Sequence, residues 1–71
     1  MTGILVTRET QDIVVKEVIV CEDDEAFDTM ESMYCYELYS NKVCDYYIDN
    51  GSAEIVFPNG NIKYELIIAR C

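Results

Sequence analysis

The chain has 71 residues and carries fourteen Asp and Glu against five Lys and Arg, which gives a formal net charge of −9 without any histidine. A chain of this length predicts one domain, residues 1–71. The charge disfavours direct binding to nucleic acid or to an anionic membrane, because both are recognised mainly through Lys and Arg. A basic protein surface is the expected partner. The alternative is that the acidity only keeps a small protein soluble.

Strand-forming residues dominate the first part of the chain. Residues 13–20 are largely β-branched on both alternating faces, a pattern typical of a strand that is covered on one side and half covered on the other. We therefore expect this segment to lie centrally and to anchor the sheet. Residues 3–7 are predicted to form a short partner strand, and residues 8–12 to form the polar connection between the two.

The period becomes helical from Asp24 to Tyr39. Asp23 is the predicted N-cap and Asn41 the predicted stop of this helix. Its apolar side chains fall within an arc of about 140° when each residue is advanced by about 100°. The residues of this arc, which are expected to face the core, are Ala26, Phe27, Met30, Met33, Tyr34 and Leu38.

Alternating apolar patterns then predict strands over residues 43–48, 53–57 and 62–69. The connecting tetrapeptides, DNGS and PNGN, each contain an Asn-Gly pair, which is typical of hairpin turns with two positive φ angles. The predicted fold is α+β, in the order (β)βαβββ. It has a small antiparallel or mixed sheet of four to five strands, with one amphipathic helix packed on one face.

No motif for catalysis or metal binding is present in the sequence. Without histidine the usual Cys-His and Ser-His pairs are excluded, and no Cys-x-x-Cys pair suggests zinc. We predict that the protein is not an enzyme and holds no cofactor or metal. A small enzyme or a ligand-sequestering protein would need a pocket that the sequence does not reveal.

The N-terminal residues do not resemble a signal peptide or a membrane span, because no basic region precedes a long apolar stretch and Arg8 and Glu9 interrupt the apolar residues early. The predicted location is the cytoplasm. Reduced thiols that partly fill the core are therefore expected, and two disulfides in a secreted mini-protein are the alternative. The cysteines are Cys21, Cys35, Cys44 and Cys71.

Acidic residues are concentrated between Glu17 and Asn41, a segment without Lys or Arg. Like-charged pairs such as Asp24 with Asp28 cost a helix about 0.2–0.5 kcal/mol, whereas a purely solvent-facing helix usually mixes Glu with Lys. Asp24, Asp28 and Glu31 would span about 10 Å of helix axis, comparable with three phosphates of a duplex strand. Exposed tyrosines add contact area at protein interfaces. The predicted partner-binding residues are Glu22, Asp24, Glu25, Asp28, Glu31, Tyr36 and Tyr39.

A short acidic α+β chain with an acidic segment over residues 22–37 resembles, as a class, the phage-encoded inhibitors of bacterial defence. Anti-CRISPR and anti-restriction proteins belong to this class, and several are similar to a nucleic-acid backbone in charge. The resemblance rests on this format and not on a sequence motif. It implies a nucleic-acid mimic in the host cytoplasm whose anionic helix face occupies a basic, nucleic-acid-binding surface. The alternative is a structural or assembly subunit, such as a homodimer that pairs through a sheet edge or an apolar patch.

Overall fold

One antiparallel sheet and one helix make up the fold. The computed structural model describes residues 1–68, so the end of the predicted strand 62–69 and Cys71 lie outside the described residues. The five strands follow the spatial order β2-β1-β5-β4-β3, and this confirms an α+β fold with a small sheet. The elements are β1 (Thr2–Thr10), β2 (Val14–Cys21), α1 (Ala26–Ser40), β3 (Asp45–Ile48), β4 (Ser52–Phe57) and β5 (Gly60–Ile68).

The core lies between α1 and one face of the three middle strands. In β1, Ile4 and Val6 alternate with residues of the opposite face, and in β5 Tyr64 is paired with Val6. The predicted apolar arc of α1 faces these strands, as expected: Ala26, Met30 and Tyr34 are buried, and the other members of the arc are partly buried against the core. The residues of the buried cluster are Ile4, Val6, Met30, Tyr34, Ala53, Ile55, Ile62 and Tyr64.

The prediction that residues 13–20 form a central strand is wrong. β2 is an edge strand that pairs only with β1, and the centre of the sheet is formed by β1 and β5. Glu17 lies in the middle of β2 on the side that faces α1, since it is paired with the buried Val6. A central position would bury this carboxylate without a partner, which is costly, and the edge leaves it exposed.

The predicted boundary between the first two strands is also wrong. Arg8, Glu9 and Thr10 continue β1 and are not a connection. The reversal is tighter than expected, because the backbone N–H of Thr10 donates to the carbonyl oxygen of Ile13 at 2.9 Å. This longer β1 carries Arg8 onto the face that α1 covers.

The helix begins later than predicted and without the predicted cap. Its N-cap is Glu25, whose side chain makes no capping hydrogen bond. A turn precedes it, in which the N–H of Glu25 donates to the carbonyl oxygen of Glu22 at 3.0 Å. Asp23 instead accepts a hydrogen bond of 2.8 Å from the Thr2 hydroxyl. At the other end the helix stops as predicted, with Asn41 as the extended C-cap.

Neither hairpin turn uses the predicted positive φ angles, since none occurs within residues 1–68. In the second turn Pro58 fixes a negative φ, and Gly60 already belongs to the ladder as the partner of Phe57. In the first turn the N–H of Asp49 donates to the carbonyl oxygen of Ser52 at 2.7 Å, so that Asn50 and Gly51 connect two residues that continue the pairing of β3 with β4. In the second turn, therefore, proline replaces the left-handed turn that an Asn-Gly pair suggests.

Candidate protein-binding surface

Three of the predicted acids lie in the connection between β2 and α1. We call residues 22–25 the acidic turn. Glu22, Asp24 and Glu25 are exposed there, whereas Asp23 is fixed against the start of β1 by its hydrogen bond with Thr2. The same Thr2 hydrogen bond lowers the pKa of Asp23. Asp24 therefore precedes the helix, and the prediction that it lies on the helix face is wrong.

The remaining predicted residues are exposed on α1. At about 100° per residue, Asp28 and Tyr39 differ by only about 20° and form the outer crest of the helix. Glu31 and Tyr36 lie on opposite flanks of that crest, about 140° apart. Tyr39 is 84% exposed and Tyr36 72% exposed, so both rings are available for contact.

These positions change the shape of the expected anionic surface. A straight track from Asp24 to Glu31 is not formed, because only Asp28 and Glu31 share the helix. The negative charges instead cluster in the acidic turn and the first turns of α1, where the positive end of the helix dipole partly compensates their repulsion. The last turn of α1 contains no basic residue.

Glu37 does not belong to this surface, although it lies in the acidic segment. Its Oε1 accepts a hydrogen bond of 3.1 Å from Arg8 Nη2, which also makes an ion pair between β1 and α1. Its Oε2 accepts from Asn41 Nδ2 at 3.0 Å. The Asn41 side chain donates at the same distance to the Glu37 carbonyl oxygen, a helix-end carbonyl that would otherwise lack a partner.

A cleft of about 420 Å³ opens beside this ion pair, between α1 and β1. The Tyr64 side chain is fully buried beneath it, and its hydroxyl finds no hydrogen-bond partner within residues 1–68. Burial, with a smaller contribution from the Glu37 carboxylate, raises the pKa of Tyr64 to about 12. The residues that line the cleft are Arg8, Ser32, Met33, Tyr36, Glu37 and Tyr64.

Sequence reasoning missed this cleft and the ion pair that borders it. Arg8 and Glu37 are 29 residues apart, and residues 8–12 were expected to form a connection and not a strand. The available signal was strand alternation, because Arg8 has the same parity as Ile4 and Val6 and therefore lies on the same face. That signal required β1 to be extended by the three residues that precede the turn.

The other chemistry of the chain is sparse in its described part. Cys21, Cys35 and Cys44 are free cysteines; the first two are partly buried and Cys44 is exposed. Residues 1–68 contain no group of three carboxylates or thiols that could hold a metal ion. No helix of those residues is long and apolar enough to cross a membrane. No protein-family model, curated protein or solved structure matches the chain.

Proposed function

We propose that the chain is a non-enzymatic, protein-binding inhibitor of the anti-CRISPR or anti-restriction type that acts in the cytoplasm of a bacterial host. Its acidic turn and the crest of α1 occupy a Lys/Arg-rich surface of a target protein, and nucleic acid can then no longer bind there. The observation that supports this proposal is that exposed carboxylates and exposed tyrosines share one surface from Glu22 to Tyr39. No Lys or Arg interrupts that segment.

The chemistry of this surface suits a basic partner. Clustered carboxylates attract Lys and Arg over a distance set by the ionic strength and raise the association rate. Tyr39, which lies on the same crest as Asp28 about 16 Å further along the helix axis, offers a large ring with a polar tip. Arginines of the partner can bind the carboxylates, and another arginine can stack on this ring.

Reversing three of the acids is expected to abolish target binding. The variant Asp24→Lys, Asp28→Lys, Glu31→Lys changes the net charge by six units and is expected to weaken binding more than about tenfold at physiological salt. The experiment captures host proteins on the immobilised chain and identifies them by mass spectrometry. Binding of DNA or RNA to each captured protein is then measured with and without the chain.

The matched control reverses three exposed acids elsewhere, in the variant Glu9→Lys, Asp12→Lys, Asp45→Lys, which has the same net charge. It is expected to keep most of the binding, because a local surface and not the total charge makes the contact. Wild-type binding should weaken steeply with salt and be displaced by DNA or heparin. Binding that survives the first triple variant would contradict the proposal, as would captured proteins that bind no nucleic acid.

A further inference from the structure

The edge strand β2 is exposed on both of its faces. Val14 and Val18 of one face are 58% and 49% exposed, and Val15 of the other face is 52% exposed. α1 packs mainly against β1, β5 and β4, and of β2 only Ile19 and Cys21 pack against the core. The pairing of β2 with β1 runs from Val14 to Cys21 without a bulge. This long and largely apolar edge lacks a proline and a bulge, two of the features that prevent further pairing, and Lys16 and Glu17 are its only charged residues.

Half of the backbone hydrogen-bonding groups of β2 point away from the sheet. The N–H of Thr10 donates to the carbonyl oxygen of Ile13, so these two residues form a hydrogen-bonded pair. Along an antiparallel ladder, hydrogen-bonded pairs alternate with pairs that are not hydrogen-bonded to each other. Residues with odd numbers from Val15 to Cys21 therefore bond to β1. The N–H and C=O groups of the even-numbered residues face outwards, and these residues are Val14, Lys16, Val18 and Val20.

We propose that two copies of this chain associate through antiparallel pairing of β2 with β2 about a two-fold axis, so that two five-stranded sheets become one sheet of ten strands. This axis is perpendicular to the sheet, so equivalent faces of the two sheets lie on the same side of the dimer. The numbers of two residues that face each other across the seam are then equal or differ by an even number, because a shift of one residue would turn each side chain to the other face.

Charge and the length of pairing together favour one register. An axis through Glu17 would oppose the two Glu17 carboxylates, and an axis through Lys16 would oppose the two ammonium groups, both of which are unfavourable. Among the axes that oppose no like charges, the one through Val18 pairs the most residues of β2, residues 15–21 of both copies. In that register Val18 faces Val18, Lys16 faces Val20 and Glu17 faces Ile19.

A second copy suits this edge because β2 has no net charge, whereas the whole chain carries −9. Lys16 and Glu17 are its only ionised residues and cancel each other. The acidic turn follows Cys21 directly, so antiparallel pairing places the two acidic turns at opposite ends of the seam. Seven paired residues separate them by about 23 Å, which exceeds the Debye length of about 10 Å at moderate salt. The dimer and the proposed acidic contact surface are therefore independent of each other.

Val18→Lys tests this register, with Val14→Lys as the matched control. Both replace a half-exposed valine of the same strand and face by the same cation, but only position 18 lies on the axis. Sedimentation from about 1 µM to about 500 µM is expected to show a dimer for the wild-type chain and for Val14→Lys. Val18→Lys should associate at least about tenfold more weakly, because two ammonium groups would oppose each other.

Hydrogen exchange distinguishes edge pairing from other modes of association. The amides of Lys16, Val18 and Val20 should become protected as concentration rises, while those of Glu17 and Ile19, already bonded to β1, report that each variant is folded. Added salt should strengthen the dimer, because it screens the repulsion between two acidic chains. A wild-type chain that stays monomeric overturns the proposal. So does a dimer whose Val18 amide stays unprotected, or pairing of β2 with a strand of another protein alone.

Discussion

Replacing Gly60 with alanine is expected to lower the free energy of unfolding by about 3 kcal/mol. A Cβ atom at this position would overlap the carbonyl oxygen of Glu9 and lie 3.1 Å from the Cα of Thr10. Both atoms belong to the backbone of β1, and backbone cannot move aside as the end of a side chain can. β1 and β5 would have to separate where Thr10 pairs with Gly60. Urea denaturation followed by circular dichroism measures the loss.

Gly51→Ala is the control, since it makes the same substitution in the other hairpin. A Cβ there meets no atom within 4 Å, and Gly51 does not have a positive φ. The substitution is therefore expected to stabilise the protein by about 0.4–1 kcal/mol, because alanine has fewer conformations in the unfolded chain. Equal effects of the two substitutions would show that backbone crowding at Gly60 is not the cause.

Stability is expected to fall by on the order of 2 kcal/mol between about pH 10 and pH 12 because of Tyr64. Its pKa in the folded chain is raised to about 12 by burial, whereas an unfolded tyrosine ionises near pH 10. Between these values the unfolded chain loses a proton that the folded chain keeps, so unfolding becomes more favourable as the pH rises. Burial also raises the pKa of Tyr34, which acts in the same direction.

Tyr64→Phe isolates this contribution. Chemical denaturation of the variant across the alkaline range should show a smaller loss of stability than the wild-type chain. At neutral pH it should be at least as stable, since it removes a buried hydroxyl that bonds no other group of residues 1–68. Tyr39→Phe is the control, because the Tyr39 side chain is exposed before and after unfolding. An alkaline slope that is identical in wild type and Tyr64→Phe would contradict the assignment.

The parts of the fold that follow from local patterns could be predicted from the sequence. The apolar arc of α1 depends only on helical period, and Met30 and Tyr34 are buried as expected. The positions of the two hairpins also follow from local residues. Their backbone conformations do not, since neither turn has a positive φ; in the second hairpin Pro58 and the pairing of Gly60 with Phe57 override the preference of an Asn-Gly pair.

The place of each strand in the sheet could not be predicted, because it depends on contacts between distant residues. β2 has the most β-branched sequence and still lies at the edge, since Glu17 must remain in water. β5 lies at the centre, because its alternating Ile62 and Tyr64 supply large apolar side chains to the covered face. The hydrophobic pattern alone does not show whether one charged residue within a strand keeps that strand at the edge of the sheet.

The exposure of Asp28, Glu31, Tyr36 and Tyr39 follows from helical period, but the arrangement of the predicted contact residues does not. The helical period places Asp24 on the helix and Asp23 at its cap, because the onset of a helix is poorly determined by sequence. The Asp23 carboxylate accepts a hydrogen bond from the Thr2 hydroxyl instead of capping the helix. The cleft above Tyr64 could not be predicted, because it lies beside the Arg8–Glu37 ion pair, a contact between elements that no local pattern contains.

The pairing of β1 with β5 has a consequence for the order of folding. It joins Thr2 to Ile68 and Thr10 to Gly60, so the two central strands come from opposite ends of the described chain. When only β1, β2 and α1 have emerged from the ribosome, the hairpin and the helix still lack β5, the strand on which both depend. Closing the long loop between β1 and β5 costs entropy before any contact compensates it. The sheet therefore forms only after β5 has emerged, and until then the apolar side chains of β1 are open to other chains.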